Sequence, residues 1–180
     1  PRVWMLPSAG EAPAATLTRL RSGSDEFFAQ ARSAADAGLD RLIDVPFGKE
    51  PWTVLMLHAF WDSWLHERDV VVPLGLPHRT DDVGTRFATT YALFISAAVA
   101  KLYGTPVTET ISVSGPGAGV YDVSFDDGAV IVRSEPGASG GVDAVALTDA
   151  LAGRGARVSD LLHAPPDGLS ALADFFTTPV

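Results

Sequence analysis

The 180-residue chain contains no cysteine, which excludes disulfides, thiolate metal ligands and a cysteine nucleophile. Any thiol in its chemistry has to be brought by a cofactor. Histidine is scarce, with four in the whole chain and none before His58. Basic residues are outnumbered, 13 Lys and Arg against 22 Asp and Glu, for a formal charge of −9. A nucleic-acid surface wants a basic stripe, so composition argues against that partner. Long apolar runs are missing too. The longest, Tyr91 to Ala100, falls short of the roughly 20 residues of a membrane span and reads as a buried helix. No signal-peptide pattern is visible. What is present, 47% hydrophobic residues and a mean hydropathy of +0.18, is enough for a proper core. The expectation is a cytoplasmic small-molecule enzyme, monomer or dimer, with neither membrane nor nucleic acid as partner.

The chemistry concentrates in Leu57-His-Ala-Phe-Trp-Asp-Ser-Trp-Leu-His-Glu-Arg-Asp69. Read as a helix, His58, Asp62, His66 and Asp69 follow at steps of four, four and three, so they line one stripe. Val54, Trp61 and Leu65 lie beside it, at the edge of an apolar seam. Imidazoles and carboxylates against an apolar face are what a divalent metal needs. His58 and His66 are roughly 12 Å apart along the axis, too far to share one ion with bonds of about 2.1 Å. One ion takes His58 with Asp62, or Asp62 with His66, and needs a further ligand from elsewhere. The bland alternative is a solvated or hydrogen-bonded His–Asp pair.

Two halves separate along the chain. The first, residues 1–76, reads as mostly helical and holds all four tryptophans. Ser24 to Leu42 is an amphipathic helix with Ser24 as N-cap, Val45 to Gly48 a loop, and Pro51 opens the metal-stripe helix, which ends before Pro73. Leu74 to Arg79 reads as a linker. In the second half, residues 80–180, a helix over 82–103 starts at Asp81 or Asp82 and closes at Gly104. Strands follow at 107–113, 120–125 and 129–134, the last two around the hairpin signal Asp126-Asp-Gly128. A strand over 142–147 runs into a short helix at 148–153, and a helix over 170–176 closes the pattern. Antiparallel strands with helices at the ends predict an α+β class. The glycines of 115–119 lead into a strand and not a helix, so they make an inter-strand loop and not a dinucleotide site; 137–141 is another loop. Arg154, between two glycines after a short helix, either complements a helix dipole or reaches out of its domain. His163, before two prolines, is a surface residue.

The run Asp62-Ser-Trp-Leu-His66-Glu-Arg-Asp69, followed by Pro73-Leu-Gly75, resembles the metal-site helix of the mycothiol-dependent maleylpyruvate isomerase family. The strand pattern, Asp149-Ala-Leu-Ala-Gly-Arg154-Gly and the closing Ala-Leu-Ala-x-Phe-Phe are similar to that family's C-terminal domain. The resemblance implies a DinB-like metal-binding helical bundle, here partial, over residues 1–76 and a sterol-carrier-like α+β domain over 80–180. It also implies a divalent metal, most simply zinc, held by Asp62 and His66. Mycothiol is the implied cofactor and an electrophilic small molecule the implied substrate, for isomerisation or S-transfer. Arg154 matches the arginine that the family's second domain lends to the active site, for substrate or cofactor. Residues 1–56 contain neither His nor Cys, so the family's remaining histidine ligand is expected upstream of Pro1, with His58 as second choice. The runner-up is a non-catalytic protein binding a metal, or an apolar ligand among Phe87, Leu93, Phe94, Phe175 and Phe176.

Overall fold

Pro13 opens the first helix, α1 (Pro13–Asp36), at a position where a missing N–H costs nothing. In this computed structural model, which describes residues 10–78, 80–137 and 140–177, α1 runs straight through Ser24. The expected N-cap is therefore an interior residue. The helix ends at Asp36, before Leu42, because Gly38 adopts a left-handed conformation (φ +62°). No residue of α1 is buried, and Phe27 and Phe28 stay exposed on it. Trp4, Arg79 and the middle of the 137–141 loop lie outside the described residues.

The chain divides into two compact units, residues 1–42 and 43–180. At the start of the second unit the expected loop at 45–48 is a hairpin. Pro46 and Phe47 turn the chain between β1 (Leu42–Val45) and β2 (Gly48–Pro51). Pro51 then caps α2 (Trp52–Val71), and Asp81 caps α3 (Asp82–Leu102), its carboxylate accepting from the Gly84 N–H at 2.8 Å. That bond satisfies one of the orphan donors of a helix start. By length and composition α3 is apolar enough to cross a membrane, but most of it is buried within the protein.

A four-stranded sheet packs on α3. It comprises β3 (Glu109–Ser114), β4 (Gly119–Asp126), β5 (Ala129–Pro136) and β6 (Val142–Asp143), in the order β5-β4-β3-β6. β3–β4 and β4–β5 are antiparallel and β3–β6 is parallel. Asp127 (φ 45°) and Gly128 (φ 77°) make the tight turn between β4 and β5, the geometry that matches strand twist. The strand expected over 142–147 is only two residues long. Asp143 accepts from the Ala146 N–H at 2.9 Å and starts α4 (Ala144–Leu151) instead. The short helices α5 (Val158–Leu161) and α6 (Ala171–Thr177) finish the unit. The class is mixed α+β.

One buried cluster lies across the division expected at residues 76–80. Trp61, Trp64 and Leu65 of α2 are buried in one cluster with Tyr91, Ala92 and Leu93 of α3, and with Ile111, Tyr121 and Leu147 beyond it. Burying each large side chain is worth about 1.5–3 kcal/mol. The Pro73-to-Pro77 stretch reverses the chain between two helices of the same core.

Candidate functional site

α2 meets different neighbours at its two ends, and the four stripe residues split between them. Towards its C-terminal end, the His66 Nε2 lies 3.4 Å from Asp62 Oδ1, and the His66 Nδ1 lies 3.3 Å from Asp69 Oδ2. Asp69 is engaged again from its other side. Arg154 donates to it through Nε and Nη2, each at 2.8 Å, across 85 residues of sequence. The arginine is aimed by the turn after α4, where Gly153 (φ +72°) reverses the backbone and the Arg154 N–H bonds the Asp149 carbonyl. The Arg154 bonds hold the Asp69 carboxyl below its ordinary range, and the same bonds raise the guanidinium. An ionised carboxylate only accepts, so His66 Nδ1 carries the proton in their contact. In a neutral ring Nε2 is then the free nitrogen, and it faces Asp62. All four groups remain open to solvent, the His66 side chain most of all at 65%.

Beneath this relay lies a drier clasp. Arg68 pairs with Asp149 of α4 through two bonds, the Nε one at 3.0 Å, with both side chains largely buried. Its guanidinium also sits 5.0 Å over the Trp64 ring, a cation–π geometry. His78 packs edge-on against Trp64, and its side chain is 3% exposed. Burial, and then the Arg68 charge, lower its pKa.

No protein family, no curated protein and no solved structure matches this chain.

His58 faces elsewhere. Its Nδ1 lies 3.0 Å from the Tyr91 hydroxyl, and its ring stacks edge-on against the same residue. It belongs to the wall of an apolar cavity of about 410 Å³ between α2, α3 and α6, with the β1–β2 turn closing one side. Trp61 and Tyr91 form buried parts of that wall, whereas Phe175, Phe176 and Tyr103 stand more than half exposed around it. Of the five residues expected around an apolar ligand, only Phe175 and Phe176 line this cavity. Leu93 is wholly buried, Phe94 is packed between Phe47 and Tyr91, and Phe87 stacks on Phe60.

Two corners of a metal site fit the stripe. With bonds of about 2.1 Å, tetrahedral ligand atoms stand roughly 3.4 Å apart, the spacing between His66 Nε2 and Asp62 Oδ1. Asp69 holds the other ring nitrogen, as carboxylates do behind metal-bound imidazoles. Among the described residues no three donors converge in metal-holding geometry, so these two do not complete a site by themselves. The structure thus brings Asp62, His66, Asp69 and Arg154 together and separates His58 from them. Sequence reasoning missed Tyr91 and the Arg68–Asp149 pair. The only signal for the pair was the adjacency of Arg68 to the stripe.

Proposed function

We propose that the chain carries the partial active site of a mycothiol-dependent metalloenzyme, with a DinB-like helical portion and a sterol-carrier-like remainder. One observation supports this most. An arginine far away in sequence is bonded to the carboxylate that orients His66, while His66 and Asp62 stand at ligand spacing. In this reading Asp62 and His66 hold a divalent ion, zinc by the His and carboxylate character of the donors. A further donor comes from outside the described residues. The bound ion supplies Lewis acidity and lowers the pKa of a coordinated thiol.

The protein's own groups do the rest. Asp69 fixes the His66 tautomer and ring plane. Arg154 keeps Asp69 ionised and offers the N–H groups left over from Asp69 and the Ala152 carbonyl to a carboxylate of substrate or cofactor. With no cysteine in the chain, the sulfur nucleophile is the cofactor's, adding to an activated double bond. Departure of the thiol completes isomerisation, and its retention gives S-transfer.

The test is metal content and thiol dependence together, on the full-length protein. About one zinc per chain is expected, lost in His66→Ala and kept in His58→Ala. Turnover of maleyl-type electrophiles is expected only with mycothiol added. Turnover that proceeds equally well without thiol overturns the mechanism, and metal lost in His58→Ala but kept in His66→Ala overturns the ligand pair.

A further inference from the structure

We infer that the cavity between α2, α3 and α6 binds a small neutral molecule with an apolar, ring-sized body and a carbonyl-type acceptor held by His58. The inference does not rest on the metal reading, because none of Asp62, His66 or Arg154 lines this cavity.

Size and lining give the body of the ligand. About 410 Å³ lies at the small end of the roughly 300–1,000 Å³ usual for ligand sites, which suits one or two rings. Among the described residues no Asp, Glu, Lys or Arg lines the cavity. An ion inside would lose its hydration with no counter-charge in return. The formal charge of −9 further disfavours anions at long range. A wholly wasted apolar hollow is not the better account, because Leu102, Tyr103, Phe175 and Phe176 all stand at least half exposed on its border. An apolar guest would cover them.

His58 and Tyr91 define the head group. The Tyr91 hydroxyl is buried, and burial pushes its pKa up, so it keeps its proton. Its hydrogen-bonding partner is the His58 Nδ1. A buried hydroxyl proton has to be donated, so Nδ1 accepts it. In the neutral ring the other proton then sits on Nε2, and His58 offers the cavity a donor and not an acceptor. His58 itself is exposed, which puts the ligand's carbonyl at the mouth and its rings inside.

Three probes of one shape separate the possibilities: 2-acetylnaphthalene with a neutral acceptor, 2-ethylnaphthalene with none, and 2-naphthoate with a charge. Dissociation constants come from calorimetry at neutral pH on the chain as it stands, and the Trp61 indole resonance reports occupancy. The ketone should bind about tenfold more tightly than the hydrocarbon, the ratio one neutral hydrogen bond commonly sustains, and more tightly than the naphthoate. His58→Phe should remove the ketone's advantage while leaving hydrocarbon affinity in place. Tyr91→Phe, which frees the tautomer, should reduce the same advantage. Val54→Trp, a filling change at a half-buried lining position, should weaken all three probes. Folding of each variant is checked by circular dichroism. Equal affinity for ketone and hydrocarbon overturns the role of His58, and tightest binding of the naphthoate overturns the neutral class. Binding of none of the probes, or a Trp61 resonance unmoved by a ligand that binds, overturns the site itself.

Discussion

The two ends of α2 use one residue type in opposite ways. His58, near the start, is tied to a buried tyrosine and borders a cavity without charge. His66, two turns later, stands in water between two carboxylates, one of them clamped by Arg154. Both were part of one stripe at helical spacing, yet a stripe on a straight helix passes along different neighbours. Near its start α2 meets α3 and α6; near its end it meets α4 and the turn after it. Identical side chains thus become the partner of a buried tyrosine at a cavity rim in one place and an imidazole between two carboxylates in the other. Spacing selects a face of the helix, and what packs on that face decides the chemistry.

The contrast can be broken most forcefully from the buried side. Leu65→Ala removes a side chain that is 2% exposed, and a loss of about 2–5 kcal/mol is expected by denaturant titration. Because α2 shares its core with α3 and the sheet, the whole 43–180 unit should shift in one transition. A second transition that stays in place would restore a domain boundary near residue 77.

Arg68→Ala should come next. It leaves Asp149 unpaired and largely buried, and a loss of about 2–3 kcal/mol is expected, below the figure for a fully buried pair. The double change Arg68→Met with Asp149→Leu should cost less than Arg68→Ala alone.

A smaller effect should be visible in pH. Burial depresses the His78 pKa, so the unfolded chain takes up a proton near pH 6.5 while the folded protein waits for lower pH. Stability should therefore fall as pH drops below about 6.5, and cease falling from this source once pH passes the folded value. His78→Phe should flatten melting temperature against pH between 7 and 5. An unchanged slope would assign it to other groups.

The smallest change is expected at the open end. Arg154→Ala should cost only about 0.2–1 kcal/mol, because the pair with Asp69 is well exposed to solvent. The Asp69 carboxyl, held low by Arg154, contributes stability above its ordinary value near pH 3.8 and loses it as pH falls through the lower folded value. Titration of Asp69 by NMR should show its midpoint rising in the variant. A large stability loss instead would mean that Arg154 is structural.

Much of this was legible locally. Asp81 as a cap, Asp127-Gly128 as a tight turn and Pro51 at a helix start each act through their nearest neighbours, so residue type sufficed. Asp143 was misjudged because the rest of Val142 to Leu147 is apolar, and periodicity does not separate a strand from a short helix; the cap does. Ser24 was misjudged for the converse reason. It is a good cap, but Pro13 lies upstream with helix-forming residues between. At the site, helical spacing placed Asp62, His66 and Asp69 together. Arg154 reached them because of a left-handed glycine and an α4 position that depend on tertiary packing. Tyr91 had no marker at all, since its partner lies 33 residues away.

The burial of α3 carries a consequence for synthesis. Its apolar surface leaves the ribosome before the strands of residues 109–136 that shelter it, and until then α2 is the cover already made. At roughly 5–20 residues per second, that delay lasts for seconds, long enough for a hydrophobic helix to find other company. The same helix that organises the finished molecule is therefore its point of greatest exposure while it is being born, and the short loops and tight Asp127-Gly128 turn that follow keep that interval brief.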